Sequence, residues 1–294
     1  MTIPCLTQLS LLANPVESVQ YNALRALTDL NSDAIAVLQE VRRSRSPLRR
    51  QAVVALAAVA GWEAVEPADQ VLIERLIRLT TPRRPPEPVC WADAWFAVRS
   101  GDQTAILATL GIANAMPVAT WRINEAFVTL ETECVYITPC LDGWTLVFGD
   151  LPTPPVTAVT ALSHRFGAAQ WYYVFEGVNG WAIAEHGRII RYYDSEDADR
   201  RLGPPHPAEQ GFRLPHDDLS ADNAFVNLST MPGATEERAT QLVGDRSVPD
   251  RCWAYDIAHR LSVDPITVGS HTRVEGHGLI AANWNGQLRG IRPI

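Results

Sequence analysis

The chain contains no lysine; all 25 of its basic side chains are arginine. That absence excludes a Schiff-base lysine, a P-loop lysine and a lysine general base, since a guanidinium does not release its proton to stand in for them. An arginine-only cation set fits coding in a GC-rich bacterium. Cysteine is scarce too. Cys5, Cys90, Cys134, Cys140 and Cys252 are odd in number and widely scattered, which suits reduced thiols rather than a disulfide framework. No apolar run reaches the roughly 18 residues of a transmembrane helix. The N-terminus lacks a basic stretch followed by an apolar one, so a cytoplasmic location is expected. GxGxxG, P-loop, HExxH and GxSxG patterns are all missing. Asp217-Asp218 and Asp222-Asn223 lack the glycine and closing glutamate of an EF-hand, so neither calcium nor another metal or cofactor is expected.

Positive charge is in deficit. The net charge of −8 argues against a nucleic-acid backbone as partner, because phosphate binding needs clustered cations. What is present is globular: 294 residues, 47% hydrophobic and 20% charged, enough for one large or two ordinary domains.

The first 115 residues read as short amphipathic helices. Asn14-Pro15 with Glu17, Ser32-Asp33, Ser46-Pro47 and Glu66-Pro67 each combine a capping side chain, an early proline or a first-turn acid. "VCWADAWFAV" (89–98) and "QTAILATLG" (103–111) extend the series. "PVESVQYNALRAL" and "PLRRQAVVALAAV" align without gaps at an offset of 32, matching Ala23 to Ala55, Leu24 to Leu56 and Leu27 to Val59. The second segment resembles the inner helix of a HEAT repeat, which implies a helical-repeat module; a plain helical bundle remains the other reading. "TPRRPPEP" (81–88) is a proline-rich joint.

Past about residue 131 the period becomes strand-like. "ECVYIT", "GWTLVFG", "QWYYVFE", "GWAIAE" and "RIIRYYD" predict strands, and "PPVTAVTALSHRFG" a helix between the second and third. Residues 195–248 read as a long irregular segment wrapping the sheet or covering a cleft. "RCWAYDIAHRL" predicts a last helix, capped by Ser247 with Asp250, and "TRVEGHGLIAANWNGQL" a last strand or hairpin. The expected fold is α+β: a HEAT-like helical module over 1–115, then a mostly antiparallel sheet domain with two or three helices over 116–294.

"LDGWTLVFG" and "VNGWAIAEHG" share a turn-plus-tryptophan pattern, a loose likeness to a single WG-type repeat. It predicts hairpin turns at Asp142-Gly143, Asn179-Gly180 and His186-Gly187. His186 is then explained by a turn. Glu176 and Glu185 would face each other across Asn179-Gly180, and Glu185 shares a face with Trp181 and Ile183. Cys252, Asp256 and His259 fall on one face of the last helix, a set that could ligate zinc as in a metal-bound hydrolase, or let the histidine activate the thiol; thiol and imidazole stand about 10 Å apart along the axis, so His271 or His277 would have to help. Cys134 and Cys140 read as same-side core thiols. His164 lies on the polar flank of its helix.

"DGWTLVFG", "LSHRFGAAQWYYV", "GWAIAEHGRIIRYYD" and "WAYDIAHRLSVDP", in that order, resemble a group of uncharacterised actinobacterial α+β proteins over roughly residues 130–282. That resemblance implies no catalytic residue. The leading expectation is a protein- or peptide-binding protein of the immunity or biosynthetic-accessory type, without its own catalysis. The alternative is an enzyme with a pocket between the sheet and the 195–248 segment, its acid–base groups His164, Glu185, Asp256 and His259. Neither nucleic acid nor membrane is expected as a partner, and the oligomeric state is open.

Overall fold

The computed structural model of the chain describes residues 2–14, 16–30, 32–80, 86–89, 93–113, 115–119, 134–175, 178–212, 214 and 253–282. Helices α1 (Thr2–Leu11), α2 (Glu17–Leu30), α3 (Ser32–Arg43), α4 (Arg49–Ala60) and α5 (Pro67–Thr80) come first. Side chains fix where two of them start: Asn14 Oδ1 accepts the Val16 N–H at 2.9 Å, and Ser46 Oγ accepts the Leu48 N–H at 3.1 Å. Each of α1 to α4 touches the other three around one core. The residues matched at the 32-residue offset (Ala23/Ala55, Leu24/Leu56, Leu27/Val59) are all buried in that core. Residues Ala52 to Val59 of α4 are buried without interruption. A helix apolar all round needs a neighbour on every side. Here the bundle takes Ala52, Ala55, Leu56 and Val59, and the sheet takes Val53 and Ala57. Arg42 of α3, almost buried, clamps α5 by pairing with Glu66 and Asp69; its Nη1 donates to Glu66 Oε1 at 2.5 Å.

The rest is built on one sheet. Strands β1 (Ala94–Val98), β2 (Ala115–Val118), β3 (Cys134–Ile137), β4 (Cys140–Leu141), β5 (Thr145–Phe148), β6 (Ala168–Phe175), β7 (Val178–Glu185), β8 (Arg188–Asp194), β9 (Val274–Glu275) and β10 (Gly278–Ala282) alternate with α6 (Gln103–Leu110), α7 (Pro155–Phe166) and α8 (Ala254–Leu261). Eight strands run in the order β2-β10-β3-β5-β1-β6-β7-β8, and β4 pairs with β9 alone. Every pairing among the described residues is antiparallel. The α+β expectation is met.

Three local expectations are corrected. Residues 94–98, read as helix, form β1, a central strand; its side chains are buried on both faces, so its sequence is a continuous apolar run with no period to read. The sheet therefore draws strands from both sides of residue 115. Asn179-Gly180 is not a turn but lies inside β7, opposite Val174 and Tyr173. The last helix starts at Ala254, not 251, because the Asp256 carboxylate accepts the Trp253 N–H at 2.8 Å and fixes the first turn there; Ser247, Asp250 and Cys252 lie outside the described residues. Of the last strand or hairpin expected at the end, the strand is present as β10, between β2 and β3, preceded by the short β9 paired with β4; residues 283–294 lie outside the described residues. The Asp142-Gly143 and His186-Gly187 turns stand as read, with φ of 49° and 88°, and 48° and 82°.

Strand alternation divides the sheet into two apolar faces. One packs under α4, α5 and α8, the other under α6 and α7. Across the first face the register places Tyr136, Phe148, Trp95, Tyr172, Trp181 and Tyr193 side by side on six adjacent strands. All six are fully buried, and Tyr255 of α8 stacks on Trp95 at 5.0 Å.

Candidate functional site

The four candidate acid–base residues fall in two places. His164, in the last turn of α7, lies against the β7–β8 turn: a Cβ at Gly187 would sit 3.1 Å from its ring. The corner is tied by backbone bonds, Gly187 N–H to Ser163 Oγ at 3.0 Å and His186 N–H to the Gly167 carbonyl at 2.8 Å. Glu185 is at the same end of the sheet, paired in register with Arg188. His164, Glu185 and His186 are all exposed. Glu185 does share the Trp181 face of β7, but it lies opposite Ala168, about 23 Å of strand from the end where Phe175 meets Val178. A carboxylate pair across Asn179-Gly180 is thereby overturned; Glu176 itself lies outside the described residues.

Asp256 and His259 belong to α8, on the opposite face of the sheet from α7. Asp256 is engaged as the helix cap. His259 is exposed in the last turn, where a cation favours the helix dipole. Beyond the helix Asp264 is buried, accepting the Ile266 N–H at 2.9 Å; burial pushes its carboxyl up, against the pull of that bond and of His259. Of the named helpers, His271 is exposed, and His277 is half-buried with its pKa pushed down by burial. The two cysteines differ: Cys134 is in the core, while Cys140, on the separate β4, is half-exposed. Among the described residues no three His, Cys, Asp or Glu side chains are placed to share a metal ion.

Two constellations went unread in the sequence. The first is a buried clamp. Glu209, in the irregular stretch after β8, accepts from Trp181 Nε1 at 2.8 Å, Arg191 Nε at 2.7 Å and Arg191 Nη2 at 3.0 Å. Arg191 Nη1 also donates to the Gly203 carbonyl at 3.0 Å. His206 Nδ1 accepts the Ala208 N–H and so caps the short turn that carries Glu209. Arg260 of α8 covers the Phe212 ring at 3.9 Å and donates to the carbonyls of Ala208 and Gln210. Residues 198–212 thus form a strap fastened over the aromatic row from both sides. This part of the irregular segment wraps the sheet as the composition suggested; 215–250 lie outside the described residues.

The second is on the other face, at the end of β6–β8 remote from His164. Register sets Trp171 beside Ala182 and Tyr192, and Tyr173 beside Gly180 and Asp194. A Cβ at Gly180 would lie 2.6 Å from Tyr173 Cζ and closer still to Cε1, so glycine is what lets that ring lie across β7. Burial, with the negative Asp194 close by, pushes the Tyr173 pKa far above the usual phenol value. Tyr192 is pushed up too, by burial and by Asp194. Trp171, Tyr173 and Tyr192 are half-buried and Phe175, the last residue of β6, is 54% exposed. Asp194 turns its carboxylate to the N–H groups of Glu196 and Asp197, folding an acidic loop against this aromatic shelf. The only early signal for the shelf was the alternation in "QWYYVFE" and "RIIRYYD".

Compared with protein-family models, curated proteins and solved structures, the chain finds no match. No helix among the described residues is long and apolar enough to cross a membrane.

Proposed function

We propose that this chain is a protein- or peptide-binding protein that carries out no chemistry of its own. The observation behind this reading is the shelf: three half-buried aromatic side chains and an exposed phenylalanine beside an acidic loop, on a sheet face otherwise covered by helices. Large, stiff amphipathic rings provide contact area at low entropic cost, and aromatic residues are enriched where proteins meet partners. In this reading the α1–α4 module, HEAT-like in its helix repeat, is a rigid platform joined to the sheet through α4. Asp256 caps a helix, and His164 and His259 complement helix ends rather than acting on a substrate.

Photocrosslinking tests the proposal. The full chain carrying p-benzoylphenylalanine in place of Phe175 is irradiated with a random peptide library, beside a control with the same group at the exposed Val71 of α5. Saturable enrichment of related peptides at position 175 over position 71 is expected. Equal, unsaturated labelling at both positions defeats the reading.

A further inference from the structure

The geometry points to a basic peptide segment as the occupant of the shelf, with an arginine or lysine side chain of the partner lying against Trp171, Tyr173 and Tyr192 and its charge turned to the exposed Glu196 of the acidic loop. This rests on the binding reading above and gives it a partner chemistry. Three features of the site favour a cation. Aromatic faces carry negative quadrupole density and hold guanidinium and ammonium groups, more strongly where water is partly excluded, as it is at these half-buried rings. Register sets the buried Asp194 one strand from Tyr173 across Gly180, and its carboxylate holds the N–H of the exposed Glu196, so the acidic loop starts at the edge of the rings. Burial and the negative Asp194 push the Tyr173 pKa far up, so the ring stays a neutral phenol and adds no phenolate of its own.

The surrounding charge agrees. From Asp194 to Asp199 the loop carries Asp194, Glu196, Asp197 and Asp199 with no base, and Arg200 beyond them is engaged by Asp197 at 3.0 Å. The same pairing chemistry is used inside the fold, where Arg201 covers Tyr193 at 4.8 Å and Arg260 covers Phe212 at 3.9 Å. A strand of partner lying along β6 past Phe175 would meet the aromatic floor first and the acidic rim second. An acidic or phosphate-bearing partner would meet like charge at that rim.

Fluorescence anisotropy with the full chain tests this directly, using a labelled octapeptide of alternating glycine and arginine against the same peptide with glutamine. The arginine peptide is expected to bind at least about tenfold more tightly, with affinity falling as salt rises. Glu196→Gln should weaken it about threefold and Phe175→Ser with Tyr192→Ser about tenfold, while Glu40→Gln on α3 leaves it unchanged. Thermal melts keep the comparison to folded variants. Equal binding of the glutamine peptide overturns the cationic assignment, and an equal loss from Glu40→Gln overturns the location. Crosslinked library peptides at Phe175 that lack arginine and lysine would leave the binding reading standing and remove this one. No saturable crosslinking at all would remove the binding reading itself.

Discussion

Glu209→Ala is the sharpest test of the strap. The carboxylate it removes is buried, with side-chain exposures of 5% for Arg191 and 3% for Glu209, and it accepts three hydrogen bonds. Alanine would leave the Arg191 guanidinium inside the protein with its Gly203 bond, and the Trp181 N–H without an acceptor. Breaking one side of a buried pair costs about 3–5 kcal/mol, and an orphaned buried N–H about 1–3. Because Arg191 keeps one bond, about 4 kcal/mol is expected in total, near three orders of magnitude in the folding constant. In urea this lowers the midpoint by about 1–2 M, read by tryptophan fluorescence and far-UV circular dichroism together.

The attribution to an unpaired charge is checked by a double-mutant cycle. Arg191→Met with Glu209→Leu removes both charges and fills a similar volume, so its stability should return to within about 1–2 kcal/mol of the parent chain. A Glu209→Ala loss below about 1 kcal/mol by both probes would refute the reasoning. So would a double variant as unstable as the sum of its two single changes.

Gly180→Ala should lose about 1–3 kcal/mol by calorimetry, since its Cβ would meet both Tyr173 Cζ at 2.6 Å and the Tyr193 carbonyl at 2.5 Å. Arg42→Met should cost about 2 kcal/mol at neutral pH, because it strands the buried Asp69. Glu66 is held below the ordinary carboxylate range chiefly by its hydrogen bond to Arg42. That contribution is present above the unfolded pKa and disappears as pH falls through the lower folded one, so the difference in melting temperature between the two proteins should shrink in acid. Burial pushes the Cys134 thiol up to about 12, so at pH 8 only about one molecule in ten thousand carries the thiolate. Alkylation followed by mass spectrometry should therefore modify the half-exposed Cys140 while Cys134 stays protected until the chain unfolds.

Much of the fold was legible where local chemistry alone decides the outcome. Asp142-Gly143 and His186-Gly187 were readable because left-handed backbone at two successive positions selects these residues wherever they sit. α6 and α7 were readable from Asp102 and Pro155 at their starts and Gly111 and Gly167 at their ends. Two of the misreadings share one cause, a residue chosen for what lies across the sheet. Gly180 looks like a turn glycine and is a floor for Tyr173. Ala94 to Val98 look like one more helix in a helical half because both sides of the strand are buried, and that information is held by α5, α6 and the neighbouring strands.

The candidate site was less legible for a related reason. Histidines and acids were the conspicuous residues, yet His164, Asp256 and His259 sit at helix ends, where caps and dipoles account for them without any ligand. Glu209 was inconspicuous, one acid in a polar, proline-rich stretch, and it is the residue that holds the strap to the sheet. Its partner Arg191 sits in "RIIRYYD", where alternation places it on the Tyr193 face but cannot say that a carboxylate will arrive from 18 residues downstream. The shelf depends on register in the same way: Trp171, Tyr173, Tyr192 and Asp194 become neighbours only when β6, β7 and β8 pair as they do. A one-residue slip would send each of those side chains to the opposite face. In the binding reading proposed above, function lies where the pairing of strands, rather than any short motif, assembles the surface.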